Sequence, residues 1–330
     1  MGCAESISWR GIRRRETLLL GLLGLGAVTL GLLVGPADFA TPGVLILRLG
    51  RTLLGLLTGA ALGAAGATLQ GLTRNPLADP YLTGVSAGAG VGVALAALLG
   101  IGGLTTLGFL GRQALGFLGG IGAALLVWRL TGRRRGDSTG LIVAGVVTNA
   151  GLSGVILIIL AWLPLWSQGA VLGWLMGDLA SPHVDWGPLI LAAGLIAACL
   201  VYLLTRSREL DALALGERRA HSLGVDIDRA RGGTLLAAAL ATATAVTLAG
   251  IIPFVGLVAP HLVRVRLGAE NRRLLPLSAL AGAVLVVLAD NAVRLAVCYL
   301  GLPGLPVGAA LALIGGPYFF IIYRRRSVNR

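Results

Sequence analysis

The side chains that could support catalysis are few and far apart in this sequence. Segment 151–154, GLSG, matches the small-residue motif of intramembrane serine proteases, with Ser153 as nucleophile and His261 as a conceivable base. Such a match is expected by chance in a glycine-rich helix, and 51 of the 330 residues are glycine. The other histidines, His183 and His221, fall in predicted loops on opposite sides. We therefore predict no catalytic residue, and the protease remains only an alternative.

Residue combinations typical of a cofactor or metal site are also missing from the sequence. All 27 basic residues are arginine, so the chain has no lysine for a phosphate-binding loop of the Walker type. Cys3, Cys199 and Cys298 are odd in number and lack the spacing of zinc ligands. The sequence predicts no metal site, no disulfide and no cofactor in this chain.

Acidic residues inside apolar segments are the usual mark of ion-coupled carriers, because a buried charge in a membrane is retained for a function. Asp290, near one end of an apolar segment, is the sole candidate. An ion-coupled secondary transporter that depends on Asp290 is therefore an alternative function.

Composition places these residues in a membrane. Hydrophobic residues make up 56% of the chain and charged residues 12%, and the mean hydropathy is +0.88. A soluble domain has about 25% charged residues, so we exclude a soluble enzyme and predict an all-α polytopic membrane protein. About ten apolar segments are predicted to be transmembrane helices. They are 17–35, 51–71, 81–101, 104–128, 139–163, 186–205, 233–252, 254–267, 274–298 and 304–323.

The arginines predict the orientation, since short loops rich in basic residues stay in the cytoplasm. If the N-terminal tail, 1–16, is cytoplasmic and the segments alternate, all but four of the 27 arginines lie on the cytoplasmic side. The four exceptions are Arg48, Arg51, Arg112 and Arg294. Both termini are thus predicted to be cytoplasmic. Topology accounts for the isoelectric point near 11.3, and no nucleic-acid partner is predicted.

Three connecting stretches have distinctive compositions. Segment 74–80, RNPLADP, has two prolines that forbid continuous helix, with Asn and Asp that favour a tight turn. Segment 206–232 favours two short amphipathic helices broken at Gly216 and Gly224, which either lie on the membrane surface or dock into a soluble partner. Segment 161–187, predicted to be periplasmic, has four tryptophans and no arginine.

Several long motifs, in order along the chain, resemble the permeases of bacterial ABC importers for iron-siderophores, haem and cobalamin. They are RLGRTLLGLLTGAALGAAGATLQGLTRNPLADPYLTGVSAGAG at 48–90, LALGERRAHSLGV at 213–225, IIPFVGLVAPHLVR at 251–264, RRLLPLSALAGAVLVVLAD at 272–290 and LPVGAALALIGGPYFF at 305–320. One departure is Gly50, where the family usually has proline between the two arginines. This glycine should loosen the turn without moving either charge.

The resemblance implies a complex in the bacterial inner membrane. Its expected partners are a second permease copy, membrane lipid, two cytoplasmic ATP-binding subunits that hold ATP and Mg²⁺, and a periplasmic or lipid-anchored substrate-binding protein. The implied function is alternating access driven by ATP. The cargo is a bulky metal chelate, with iron-siderophore first and haem or cobalamin next.

The resemblance also implies three groups of functional residues. Residues that meet glutamates of the binding protein are Arg48, Arg51 and Arg294, for which phospholipid or a neighbouring carboxylate is the alternative partner. Residues that contact the ATPase are Leu213, Gly216, Glu217, Ala220, Leu223 and Gly224. The cytoplasmic gate is Asn75 and Leu77 in the RNPLADP turn with Ser138 and Thr139 before the fifth helix, although the turn's own conformation also explains Asn75.

A weak internal symmetry supports a transporter independently. Segments 51–163 and 233–323 each begin with a small-residue helix followed by a proline-containing break. They start five predicted helices apart, so they face opposite ways, as in the inverted repeats of many transporters. We predict a single transmembrane permease domain, 1–330, in which 206–232 joins the sixth and seventh helices and 161–187 joins the fifth and sixth.

Overall fold

The computed structural model describes residues 2–35, 43–101, 106–131, 138–180, 186–301 and 305–328, and within these ranges all regular structure is helical. The helices are α1 (Gly2–Leu33), α2 (Val44–Thr73), α3 (Val85–Leu98), α4 (Thr106–Leu130), α5 (Ser138–Trp162), α6 (Leu165–Leu175), α7 (Trp186–Thr205), α8 (Ser207–Ala214), α9 (Glu217–Ser222), α10 (Ile227–Ala249), α11 (Val255–Leu267), α12 (Asn271–Leu300) and α13 (Val307–Val328), with a short 3-10 helix at Pro80–Thr83.

Each of the ten predicted segments corresponds to one helix, and α7 has the bounds predicted for the sixth segment. Seven helices in the described part are long and apolar enough to cross a membrane by themselves, namely α1, α2, α4, α5, α7, α10 and α12. The all-helical, multi-pass architecture is confirmed. The number of ten spans and the orientation of the termini remain predictions.

Helix α2 is the centre of the bundle. It packs along α12, α10 and α11, and its residues from Ala61 to Thr73 are buried without exception. Leu62, Ile252 and Val286, all almost fully buried, form the core where α2 meets its neighbours. A helix buried on every side must carry small residues, because lipid provides no hydrophobic force to press helices together and close backbone contact replaces it.

Glycines of α2 make this contact possible. A Cβ atom on Gly59 would collide with the backbone of Gly282 in α12, one on Gly63 with the carbonyl of Ser278, and one on Gly66 with the backbone of Gly256 in α11. The α3–α4 pair is built in the same way, since Gly88 would collide with the carbonyl of Gly119.

Two breaks in the helices meet inside the bundle. The first follows α2, where Arg74 has a left-handed φ of 50° and Asp79 caps the 3-10 helix by accepting a bond from the Tyr81 N–H at 2.9 Å. The second is the link between α10 and α11. The Tyr81 hydroxyl donates to the carbonyl of Ile252 and accepts from its N–H, both at 2.9 Å. These bonds satisfy backbone groups that a broken helix exposes, as is required away from water.

Substitution of a contact glycine is expected to separate the helices. Gly66→Ala should destabilise the protein by about 1–3 kcal/mol, the usual cost of overpacking, because α11 must move away from α2. Gly194→Ala is the matched control, since no atom of a neighbour lies within 4 Å of the added methyl group on α7. Thermal unfolding in detergent, followed by tryptophan fluorescence, measures both. Equal midpoints for the two variants would contradict the packing account.

Candidate functional site

One end of the bundle, predicted to be the outer end, holds a compact group of charges that we name the arginine cluster: Arg48, Arg51, Asp290 and Arg294. Arg51 donates to the Asp290 carboxylate from Nη2 at 2.6 Å and from Nε at 2.9 Å. Arg294, one turn further along α12, forms a second ion pair with Asp290 at 2.6 Å. The Asp290 side chain is only 3% exposed, so one buried carboxylate serves two guanidinium groups.

The other contacts of the cluster hold the end of α1. Arg48 Nη1 donates to the carbonyls of Leu32 and Leu33 at 3.0 and 2.9 Å, and Arg294 Nη1 donates to the carbonyl of Gly31 at 2.6 Å. The last carbonyls of a helix lack partners within the helix and carry partial negative charge. Two arginines therefore cap α1 and attach it to α2 and α12.

This geometry distinguishes the three arginines that were predicted to dock a binding protein. Arg48 is 7% exposed and Arg294 is 4% exposed, and their guanidinium groups contact this chain. The neighbouring carboxylate considered as an alternative partner is Asp290, which pairs with Arg51 and Arg294. Arg51 alone of the three keeps a substantial accessible part, 23% of its side chain, and it lines a cavity open to the surface. The role of all three in docking remains a prediction.

At the opposite end of the bundle, α8 and α9 form the two short helices predicted within 206–232, which we name the coupling segment. They are separated by Gly216, with φ of 107°, and α9 is followed by Gly224, with φ of 81°. Both values lie in the region that favours glycine, so the predicted breaks are confirmed. Leu213 and Ala220 are only 4% and 0% exposed. They therefore hold the segment against the bundle and do not form its accessible surface.

Two leucines project from the coupling segment instead. Leu223, one of the predicted contacts, is 65% exposed, and Leu215 is 58% exposed. Leu215 is not among the contacts predicted from the sequence. Its position just before the helix break at Gly216 is the feature that could have identified it. Exposed leucines on a short, fixed helical segment are suited to a groove in a soluble partner.

Polar contacts fix the coupling segment to the bundle. Glu217 forms an ion pair with Arg231 of α10 at 3.0 Å. Asp211 accepts from the backbone N–H and the side-chain amide of Asn271, the first residue of α12, at 2.9 and 2.7 Å. Asn271 is buried. Since α10 and α12 both pack along α2, these contacts connect the coupling segment to the core of the bundle.

The predicted gate residues lie on neighbouring elements. Asn75 forms a tight turn by accepting from the Leu77 N–H at 3.0 Å, which is the conformational explanation considered from the sequence. Ala78 and Asp79 of the turn line a small cavity with Leu141 of α5. Ser138 and Thr139 occupy the first turn of α5, and their side chains lie outside the described residues. The RNPLADP turn and the first part of α5 are thus neighbours in the structure. Their role as a cytoplasmic gate remains a prediction.

Asp79, in the RNPLADP turn, has a carboxyl group whose pKa is shifted by burial. Burial raises the pKa of its carboxyl from 3.8 to about 6, against the opposing effect of the Tyr81 N–H bond. The carboxyl therefore resists ionisation in its capping position.

The arginine cluster predicts a strong dependence on Asp290. Asp290→Asn should destabilise the protein by about 3 kcal/mol or more, because it leaves buried arginines without their counter-charge. Glu270→Gln, just before the start of α12, is the control. Its pair with Arg273 is exposed and 3.6 Å long, and such pairs contribute about 0–1 kcal/mol. Thermal unfolding of both variants is the measurement. A midpoint for Asp290→Asn no lower than that of Glu270→Gln would show that the cluster is not structural.

The sequence is similar to those of permeases from several bacterial transport systems. The chain is 35% identical to the hemin transport system permease protein HmuU of Yersinia pestis, over 94% of each chain. It is 38% identical to the vitamin B12 import system permease protein BtuC of Vibrio cholerae, over 93% of this chain and 92% of that protein. Identity to the Fe(3+) dicitrate transport system permease protein FecC of Escherichia coli is 36%, over 85% and 82%.

A solved structure has the same fold. It is described as an inward-facing conformation of a putative metal-chelate type ABC transporter, with a TM-score of 0.82 and 28% identity over 96% of this chain and 99% of that one. The FecCD transport family model matches residues 21–325. The resemblance drawn from the sequence motifs is confirmed: this chain belongs to the FecCD transport family.

Proposed function

We propose that this chain is the membrane-spanning permease of an ATP-driven importer in the bacterial inner membrane. It carries a bulky metal chelate, an iron-siderophore first and haem or cobalamin next, from an external binding protein to the cytoplasm by alternating access. The names of the relatives support this cargo class, since they include haemin, vitamin B12 and ferric dicitrate permeases. The assembly contains two permease copies and two ATP-binding subunits.

The observation that carries the proposal is the coupling segment. Its exposed leucines form a rigid projection, and its buried residues and ion pair attach that projection to α10 and α12. A transporter that worked alone would have no use for such a surface. ATP and Mg²⁺ bind to the partner in this scheme, because the present chain lacks the lysine of a Walker loop.

The coupling segment also lies beside the proposed gate. A methyl group placed on Gly216 would come 3.6 Å from a guanidinium nitrogen of Arg74, the first residue of the RNPLADP turn. Movement of α8 and α9 by an ATPase would therefore reach Asn75 and Leu77 directly. The same movement would reach Ser138 and Thr139 through the contact between the turn and α5.

At the arginine cluster, Arg51 is the residue that a binding protein can reach. A carboxylate of the docked protein would approach its accessible edge, while Arg48 and Arg294 would act through the position of α1. Charge pairs at the rim of an interface mainly raise the association rate and depend on salt.

A secondary transporter that depends on Asp290 is less well supported. A coupling carboxylate must exchange protons or cations with water, whereas the Asp290 side chain is buried and holds two ion pairs. The protease alternative also has little support, because Ser153 lies on an exposed face of α5.

The coupling prediction concerns Leu223. Leu223→Asp should abolish co-purification of the ATP-binding subunit and chelate-stimulated ATP hydrolysis, because it places a charge in an apolar contact. Leu300→Asp is the control, since Leu300 is 69% exposed at the other end of α12. Gly216→Trp with Glu217→Lys, which disturb the segment itself, should have the same effect as Leu223→Asp. Retained ATPase binding in Leu223→Asp with normal transport would refute the coupling role.

The docking prediction separates Arg51 from Arg48. Arg51→Gln should slow association of the binding protein several-fold at low salt, and the difference should vanish at high salt. Arg48→Gln should lower thermal stability without altering the salt dependence, because its contacts are internal. Association of detergent-solubilised permease with immobilised binding protein measures both. Salt-independent or unchanged association in Arg51→Gln would contradict the docking role.

A further inference from the structure

A cavity of 290 Å³, which we name the outer cavity, opens beside the arginine cluster between α2, α4, α6 and α7. Its charged lining residues are Arg51, Arg112 of α4 and Asp178 after α6. Trp174 and Leu189 supply part of the apolar wall. Arg51 and Arg112 lie six or seven residues from the starts of their helices, so the cavity reaches about 10 Å below the helix ends at the rise of an α-helix.

Arg112 has no role in the fold that the described residues reveal. No carboxylate among them lies within 4 Å of its guanidinium, and its Nε is buried without a hydrogen-bond partner. Its guanidinium carbon lies over the ring of Phe109, 5.3 Å from the ring centre. A second cavity of 130 Å³, next to Trp166 and Ser167, shares Arg112 with the outer cavity. An arginine without a carboxylate partner among the described residues at this depth is costly in a membrane and indicates a functional site.

The surroundings of the cavity favour negative charge. The arginine cluster sets three guanidinium groups against the single carboxylate of Asp290, so its wall of the cavity is positive. Asp178 also lines the cavity and accepts from the Ala180 N–H at 2.7 Å, so the lining has two guanidinium groups against this carboxylate. A planar guanidinium with free donors pairs best with a carboxylate or phosphate group.

We propose that the outer cavity is an anion site, in which Arg112, assisted by the field of Arg51, binds a carboxylate or phosphate group. The cavity is at the lower limit of pockets that enclose a whole small molecule, about 300–1,000 Å³. It therefore takes one anionic arm of a larger molecule. On the proposed function, that molecule is a metal chelate with acidic substituents entering the transport path; the other source of the same chemistry is the headgroup of an anionic lipid.

Haemin, which carries two carboxylates, and its dimethyl ester, which carries none, form a matched pair of probes. Wild-type permease in phosphatidylcholine nanodiscs should bind haemin at least about tenfold more tightly than the ester, the effect of one charge-assisted contact. Arg112→Gln should remove that preference and Arg112→Lys should keep most of it. Arg129→Gln, the same change at the other end of α4, should have no effect. Binding is measured on the isolated permease, so failure of the ATP-driven role would leave this result intact.

The lipid source is tested on the same variants. If a lipid headgroup occupies the site, replacing phosphatidylcholine with phosphatidylglycerol should raise the unfolding temperature of the wild type but not that of Arg112→Gln. In that case haemin binding should be the same in the wild type and in Arg112→Gln. An Arg112-dependent preference for haemin over its ester assigns the site to the chelate instead. If Arg112→Gln changes neither the affinity for haemin nor the effect of phosphatidylglycerol on the unfolding temperature, the proposed anion site is wrong.

Discussion

The close approach of α2 to its neighbours is the constraint on which the rest of this structure depends. In a bilayer, apolar side chains gain nothing by leaving lipid for protein, so helices associate through backbone contact and satisfied polar groups. Gly59 and Gly63 allow α2 to touch the backbone of α12, and Gly66 allows it to touch the backbone of α11. That contact also encloses the broken backbone around Tyr81 and Ile252, which could not face lipid with open hydrogen-bonding groups.

The same pair of helices connects the two ends of the molecule. Helix α12 begins at Asn271, held by Asp211 of the coupling segment, and carries Asp290 and Arg294 at its other end. Helix α2 carries Arg51 near its start and ends beside Gly216. Each helix covers roughly 30 Å between these points at the rise of an α-helix. Because α2 and α12 are packed backbone to backbone, the coupling segment and the arginine cluster lie at the two ends of one closely packed pair of helices.

The charges at the predicted outer end hold three helices together. Asp290 neutralises part of the positive charge that the topology leaves there, and Arg48 and Arg294 use the partial negative charge of the α1 carbonyls. Arg51 and Arg112 line the outer cavity together with Asp178, so two guanidinium groups face one carboxylate there. Most of the charge in the arginine cluster is thus paired within this chain, and the accessible part of Arg51 is the exception among its three arginines.

The sequence by itself determined the helices, their order, the breaks at Gly216 and Gly224 and the family, because apolar length, glycine, proline and long motifs are local properties of the chain. It could not determine which face of each helix is buried. In the coupling segment, Leu213 and Ala220 are buried against the bundle, whereas Leu215 is exposed. Nor could it identify the partner of Arg51, which lies 239 residues away at Asp290. Those facts depend on how helices rotate and pack against one another, and contacts between distant segments form only in the tertiary structure.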